Sequence, residues 1–122
     1  MNNVELKNKV YSVANDILKK RTYISHVDIL IGIGVLLVED YENWRFGRIP
    51  YLEKACKINL SKLNLIRKEL KVYAQKKNMK PSWTAYNKWG VKGNKIPLQF
   101  SKSGVLSIEE AYATHFVLVT RE

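Results

Sequence analysis

Residues 61–78, SKLNLIRKELKVYAQKKN, decide the predicted fold because their spacing is that of one long amphipathic helix. One face of this helix is apolar and must be buried; it consists of Leu63, Ile66, Leu70 and Tyr73. Another face is polar and cationic; it consists of Asn64, Lys68, Lys71 and Gln75, with Lys62 and Arg67 nearby. Asn59 or Ser61 can cap the start of the helix through a side-chain oxygen.

The period changes from helical to alternating after Lys80 and Pro81. Residues 82–89 (SWTAYNKW) and 95–102 (KIPLQFSK) both alternate in the way that is typical of strands. The segment between them, GVKGN, has two glycines that can take a positive φ in a turn. The sequence therefore predicts a β-hairpin over residues 82–102.

The alternation also predicts which side chains of this hairpin are buried. The inward face would contain Trp83, Ala85, Trp89, Ile96, Leu98 and Phe100. Tyr86 and Lys88 would then point outward, while Lys92 and Lys95 would make the tip basic. An exposed aromatic side chain beside lysines is suited to stacking on a nucleic-acid base, so Tyr86 is the predicted stacking residue.

Shorter helices are predicted before the long one. Apolar residues at spacings of three and four indicate a helix over Val4–Lys20. Ser25 and Asp28 have the spacing of a capping box, which predicts a short buried helix that Gly32 or Gly34 ends.

The 122 residues are enough for one domain with its own core. We predict a mainly α fold with a C-terminal β-hairpin (α+β), in the element order of a winged helix-turn-helix domain. Residues 1–102 would form this domain, with a helical part over 1–80 and the hairpin wing over 82–102. Residues 103–122 would form a C-terminal tail that docks on the same domain or on a partner.

The positive charge is concentrated in the segment that contains the long helix and the hairpin. The whole chain has 21 lysines and arginines against 11 aspartates and glutamates, a formal net charge of +10. Residues 57–102 hold twelve of those bases and one acid, Glu69, so twelve minus one gives this segment +11. A localised basic block favours a polyphosphate partner, because phosphate contacts provide most of the affinity in nucleic-acid binding.

We therefore predict a nucleic-acid-binding protein that uses the basic helix and the basic wing, with DNA as the favoured partner. Lysine suits phosphate better than bidentate reading of guanine, so we expect weak sequence specificity. DNA against RNA, and single against double strands, stay open. The predicted nucleic-acid-binding residues are Lys62, Asn64, Arg67, Lys68, Lys71, Gln75, Lys76, Lys77, Tyr86, Lys88, Lys92, Lys95 and Lys102.

The alternative is a small adaptor that binds an acidic protein, such as a replication or recombination enzyme. Its anchors would come from the cluster NWRFGR (43–48), which is the least expected one outside the basic segment, and from the apolar part of the tail. The predicted partner-binding residues are Trp44, Arg45, Arg48, Tyr112 and Phe116.

The sequence contains no catalytic signature, so we expect neither an enzyme nor a bound cofactor. Cys56 is the only cysteine, which rules out an internal disulfide and a cysteine-based zinc site. His26, Asp28 and His115 are metal-ligating types, but Asp28 already has a capping role, and no metal site is predicted. The most apolar stretch, residues 29–38, is about half of the ~20 residues that a membrane-spanning helix needs, which indicates a cytoplasmic protein without a membrane partner.

Six strings of the sequence resemble those of a family of small, largely uncharacterised bacterial proteins. They are YISHVDILIGIGVL, NWRFGRIPYLEKA, NLSKLNLIRKEL, PSWTAYNKWG, PLQFSKSG and IEEAYATHFV. The resemblance covers Tyr23–Val117 and includes a glycine- and lysine-rich turn after Trp89 and Gly90. It implies a winged-helix-like element order, and it carries no activity or site.

Overall fold

The structure is a computed structural model, and it describes residues 1–119. Within these residues the chain forms six helices and a three-stranded antiparallel sheet, which is the predicted α+β class. None of the helices in this range combines the length and the hydropathy needed to span a membrane. Residues 120–122, the end of the predicted tail, lie outside the described part.

In chain order the elements are α1 (Asn3–Leu18), β1 (Tyr23–Ile24), α2 (His26–Ile33), α3 (Val38–Arg45), α4 (Leu52–Ala55), α5 (Leu60–Lys76), β2 (Lys80–Trp83), α6 (Leu106–Ala113) and β3 (Thr114–Val117).

α2 and α5 begin at the capping residues that the sequence marks. Ser25 and Asp28 form the predicted capping box at the start of α2. Gly34 ends α2 in the left-handed conformation, with φ +93°. Asn59 caps α5 by accepting a hydrogen bond from the Lys62 backbone N–H (2.9 Å). Local sequence signals therefore account for both ends of α2 and for the start of α5.

α1 and α5 pack against each other at the centre of the core. The apolar stripe predicted for α5 is buried together with three side chains of α1; these residues are Leu63, Ile66, Leu70 and Tyr73 on α5 and Leu6, Val10 and Ala14 on α1. The Tyr73 hydroxyl also donates a hydrogen bond to Asn15 Oδ1 of α1 (2.5 Å). The predicted long helix and its apolar face are thereby confirmed.

The sheet has the strand order β1-β3-β2, with β3 in the centre. Phe116 of β3 is paired with Ile24 of β1 on one side and with Pro81 of β2 on the other. The central strand therefore comes from the segment that was expected to be a C-terminal tail. Residues 106–117 are part of the same domain as the helices.

The predicted hairpin over residues 82–102 does not form as a two-stranded ribbon. β2 ends at Trp83 and pairs with β3, and a single isolated bridge joins Asn87 to Pro97. Backbone hydrogen bonds of 2.8 and 2.9 Å flank this bridge. Alternation indicates that a segment has two faces, but it does not identify the strand that pairs with it. We refer to residues 84–98 as the bridge loop.

The first half of this region faces the core with the opposite side to the predicted one, whereas in the second half Phe100 is buried and Leu98 is half-buried, as predicted. Trp83 is 66% exposed and Trp89 lies at the surface, although both were expected in the core. Tyr86 was expected outward and is buried. The prediction assumed that the two halves of 82–102 pair with each other. Because β2 pairs with β3 instead, the alternation no longer reports which side faces the core.

Gly32 allows α2 to pack closely against α1. A Cβ at this position would clash with Cγ1 of Val13, whose β-branched side chain has little rotamer freedom in a helix. We expect Gly32→Ala to lower the free energy of unfolding by about 1–2 kcal/mol, although alanine has the higher helix propensity. Urea unfolding followed by circular dichroism measures this change. In a Val13→Ala background the same substitution should be neutral or stabilising, and stabilisation in the wild-type background would contradict the close packing.

Candidate nucleic-acid interface

A cleft of about 590 Å³ lies between α5, the sheet and α6. We call it the α5 cleft, because its polar wall is the cationic face of α5; this wall consists of Asn64, Arg67, Lys68, Lys71 and Gln75. Positions three or four apart in a helix lie on the same face, which explains why these side chains are neighbours. The structure thus brings five of the predicted nucleic-acid-binding residues together at one cleft.

The opposite wall of the α5 cleft is apolar. It includes Met79 and Pro81 at the start of the sheet, Phe116 of β3 and Ala111 of α6. Among the described residues, no aspartate or glutamate lines the cleft. Apolar walls with a few convergent polar groups are typical of ligand pockets of this volume. The cleft is therefore suited to a ligand that has both a negative charge and an apolar body.

Arg67 is held in a buried network. Its Nη1 donates a hydrogen bond to the Tyr112 hydroxyl (2.7 Å) and lies 3.6 Å from Oε2 of Glu53. The guanidinium also donates to Oδ1 of Asn64, and the Tyr112 hydroxyl donates to Glu53 (2.7 Å). Burial raises the pKa of Tyr112, so its hydroxyl stays protonated and remains a donor. A base-reading role for Arg67 or Asn64 would require these bonds to break.

His26 lies at the base of the α5 cleft, and its side chain is buried. Its Nδ1 has no hydrogen-bond partner among residues 1–119. Burial lowers the pKa of His26 to about 4, and the positive charge of Arg67 acts in the same direction. A hydrogen bond to the Thr114 backbone opposes this shift. The imidazole is therefore neutral near pH 7.

The sequence pattern presents His26 only as a metal-ligating type, and its place in the cleft was missed. Part of the signal is local, since the capping box at Ser25 makes His26 the first residue of a buried helix. The closing of β3 and α6 over this position is not a local property of the sequence. In the part of the chain that the structure describes, no three His, Cys, Asp or Glu side chains are grouped to hold a metal ion.

The buried histidine predicts a loss of stability in acid. The pKa of His26 is about 4 in the folded protein against 6.5 ordinarily, so the unfolded chain binds more protons between these values. Stability is therefore complete above about pH 6.5 and falls as the pH drops toward 4, by about 3 kcal/mol for the full shift. Burial also lowers the pKa of His115, which adds a loss in the same direction.

Urea unfolding at a series of pH values, for the wild type and for His26→Phe, measures this effect. The difference in stability between the two proteins should change in favour of the variant as the pH falls. Carboxylates titrate in both proteins and cancel in the difference. A difference that does not vary with pH would contradict the buried neutral imidazole.

The other predicted cationic residues do not line the α5 cleft. Lys62 donates a hydrogen bond to the side chain of Asn3 on α1. Lys76 and Lys77 lie over tyrosine rings of α1 and α5. The remaining predicted lysines lie on loops. One of these, the bridge loop, packs against the end of α3. The lysines on loops are Lys88, Lys92, Lys95 and Lys102.

The predicted stacking residue Tyr86 is not available to a base. Its ring is buried, and its hydroxyl lies 2.8 Å from Nε2 of His115. The guanidinium of Arg45 lies over the ring at 5.2 Å from the centroid. The prediction of an outward Tyr86 was wrong because only an isolated bridge of the expected hairpin forms, so the alternation did not identify the side that faces the core.

Three of the five predicted partner-binding residues are buried and cannot serve as exposed anchors; they are Trp44, Tyr112 and Phe116. Arg45 lies against aromatic rings of the bridge loop. Arg48 is exposed. Aromatic side chains are used in cores as well as in interfaces, so their type alone did not distinguish the two settings. The adaptor alternative therefore loses most of its expected contact surface.

The fold and the cleft define a small α+β protein in which one helix presents a basic face to a ligand-sized cleft. Comparisons with protein-family models, with curated proteins and with solved structures found no match to this chain. Function is therefore inferred from the geometry of the α5 cleft.

Proposed function

We propose that this protein binds nucleic acid along the α5 cleft, with phosphate groups held by Lys68 and Lys71. The observation that supports this most directly is the lining of the cleft, where these lysines lie beside Arg67. No aspartate or glutamate of the described residues lines the cleft. Each phosphate that a lysine neutralises releases condensed counterions, which favours binding. Arg67 contributes less, because the nearby Glu53 balances part of its charge.

A single strand is the favoured form, and DNA is kept as the favoured polymer. The cleft volume of about 590 Å³ is that of a pocket for a small ligand. The polar face of α5 forms one wall of this cleft, and α6 closes the other side. A helix that reads a major groove has to stand clear of its own domain. Entry of a strand into the cleft therefore requires less rearrangement than entry of α5 into a duplex groove.

Sequence specificity is expected to be weak. Lys68 and Lys71 contact phosphate, which is the same in every nucleotide. Asn64 and Arg67 are bonded to each other, which leaves Gln75 as the exposed cleft residue of a base-reading type. Competition between one oligonucleotide and random sequence should therefore change the apparent Kd little.

The strand order supports a winged-helix-like arrangement as the finer description of the fold. β1 follows α1, α5 directly precedes β2, and the sheet order places β3 between them. Two features depart from such a domain. α3 and α4 lie between α2 and α5, and residues 84–113 connect β2 to β3 in place of a short basic wing. The wing is therefore not part of the proposed binding surface.

Fluorescence anisotropy with single-stranded DNA, duplex DNA and single-stranded RNA tests the proposal. If three cations of the cleft neutralise phosphates, affinity should fall about 20- to 40-fold between about 50 and 200 mM salt. The double variant Lys68→Gln/Lys71→Gln should weaken binding about tenfold and reduce the salt slope by about one for each lysine.

A matched control is the double variant Lys92→Gln/Lys95→Gln on the bridge loop. It removes the same charge from exposed positions that do not line the cleft, so binding should change little. Equal losses in both double variants would show that net charge, and not the cleft, determines binding. An absence of salt-sensitive binding to all three polymers would overturn the proposed function.

A further inference from the structure

The α5 cleft contains a polar atom that phosphate binding does not use. Nδ1 of His26 is buried, belongs to a residue that lines the cleft, and has no hydrogen-bond partner within the described residues. Buried polar atoms of native proteins are almost always hydrogen-bonded, so each exception needs an explanation. An unpaired nitrogen on a residue that lines a cleft points to a ligand group that completes its hydrogen bonding.

The hydrogen bonding of the ring indicates which kind of group that is. A buried N–H without an acceptor is rarer in proteins than a buried acceptor without a donor, so the proton of the neutral ring is assigned to Nε2 and not to the unpaired Nδ1. In a neutral imidazole one nitrogen donates and the other accepts. Nδ1 of His26 is therefore an acceptor, and it requires an N–H or O–H donor.

We propose that the α5 cleft binds a single nucleotide unit, with its phosphate at Lys68 and Lys71 and an N–H or O–H of its base or sugar at His26 Nδ1. The apolar wall, which includes Met79 and Phe116, would contact the flat face of the base. A nucleotide has the anion, the apolar face and the donor groups that these three parts of the cleft require. The inference rests on the proposed function and names the unit that the site recognises.

A nucleotide of this kind has two sources, which are the free mononucleotide and the unstacked end of a strand. Single-stranded bases are readily splayed out and bound in protein pockets. Oligonucleotides with and without a 5′-phosphate distinguish these sources. Tighter binding of the phosphorylated strand would assign the cleft to strand ends, and binding of the free monophosphate that is tighter than that of either strand would assign it to the free nucleotide.

Titrations of the wild type with nucleoside 5′-monophosphates, with the nucleosides and with inorganic phosphate, followed by amide NMR, test the inference. The monophosphates should bind more tightly than either part alone, and the amides of Ala74 and Ala111 in the cleft lining should shift. His26→Phe should weaken the monophosphates and nucleosides about three- to tenfold and leave phosphate unchanged. Lys68→Gln/Lys71→Gln should weaken the monophosphates and phosphate and leave the nucleosides unchanged.

Because His26→Phe alters a buried position, the wild type provides an independent measurement. The ¹⁵N resonance of His26 Nδ1 reports directly on whether that nitrogen accepts a hydrogen bond. Saturation with a monophosphate should move this resonance upfield, and an unchanged resonance would overturn the inference even if His26→Phe does not fold.

The outcomes separate this inference from the proposed function. Oligonucleotide binding that Lys68→Gln/Lys71→Gln weakens, without any monophosphate binding, would overturn the nucleotide pocket and leave the proposed function standing. Monophosphate binding at the cleft without oligonucleotide binding would support the pocket and overturn the nucleic-acid function. Binding of phosphate alone, unaffected by His26→Phe, would overturn the pocket.

Discussion

Replacing Trp44 with alanine is expected to lower the free energy of unfolding by about 4 kcal/mol. Trp44 is fully buried, and its ring centroid lies 5.0 Å from that of Phe100 and 5.9 Å from that of Tyr86. Its Nε1–H donates a hydrogen bond to the Gln99 carbonyl (2.8 Å). Alanine would leave a large cavity and would remove one of the two hydrogen bonds that the Gln99 carbonyl accepts, the other coming from the Leu52 backbone N–H. Both losses destabilise the folded state.

Urea unfolding followed by far-ultraviolet circular dichroism measures the loss, because this signal does not depend on the tryptophan removed. Trp44→Phe keeps a ring and removes the N–H, so it should cost less than Trp44→Ala. Trp83→Ala is the matched control at a 66% exposed tryptophan, and it should change stability by about 0.5 kcal/mol or less. Similar losses in Trp44→Ala and Trp83→Ala would contradict the assignment of Trp44 to the core.

Glu53→Gln is expected to lower the free energy of unfolding by about 3–4 kcal/mol, because it leaves the guanidinium of Arg67 without its counter-charge. The side chains of Glu53 and Arg67 are 7% and 15% exposed. Glu53 also accepts hydrogen bonds from the Tyr112 hydroxyl (2.7 Å) and from the Lys102 backbone N–H (3.0 Å). One carboxylate therefore connects α4 to α5, to α6 and to the loop that precedes α6.

The exposed ion pair between Asp16 and Lys19 provides the control, since its side chains are 70% and 75% exposed. Asp16→Asn should change stability by about 0.5 kcal/mol or less in the same urea experiment. The double variant Glu53→Met/Arg67→Met should be more stable than Glu53→Gln, because it buries no unpaired charge. A Glu53→Gln protein as stable as Asp16→Asn would refute the buried network.

α1, α2 and α5 could be predicted because their signals are local. The capping box at Ser25, the cap at Asn59 and the apolar stripe of α5 each lie within a few turns of one helix. The sheet could not be predicted in the same way. β3 pairs with β1 and β2 across most of the chain, and the alternation of residues 82–102 is equally compatible with a hairpin.

The candidate site was predicted only on its α5 side. The spacing of Lys68, Lys71 and Gln75 places them on one helix face, and the structure keeps them at one cleft. The apolar wall and His26 come from other elements, so the spacing within α5 carries no information about them. Tyr86 was misplaced for the same reason, since its direction depended on which strands pair.

By itself, the sequence determined α1, α2 and α5, the buried stripe of α5 and the concentration of charge between residues 57 and 102. The tertiary structure decided which of those charges share a cleft, which one is neutralised by Glu53, and which histidine lies beneath them. Periodicity and capping depend on neighbours within about one or two helical turns. Burial and pairing depend on segments that are distant in sequence and meet only when the chain folds.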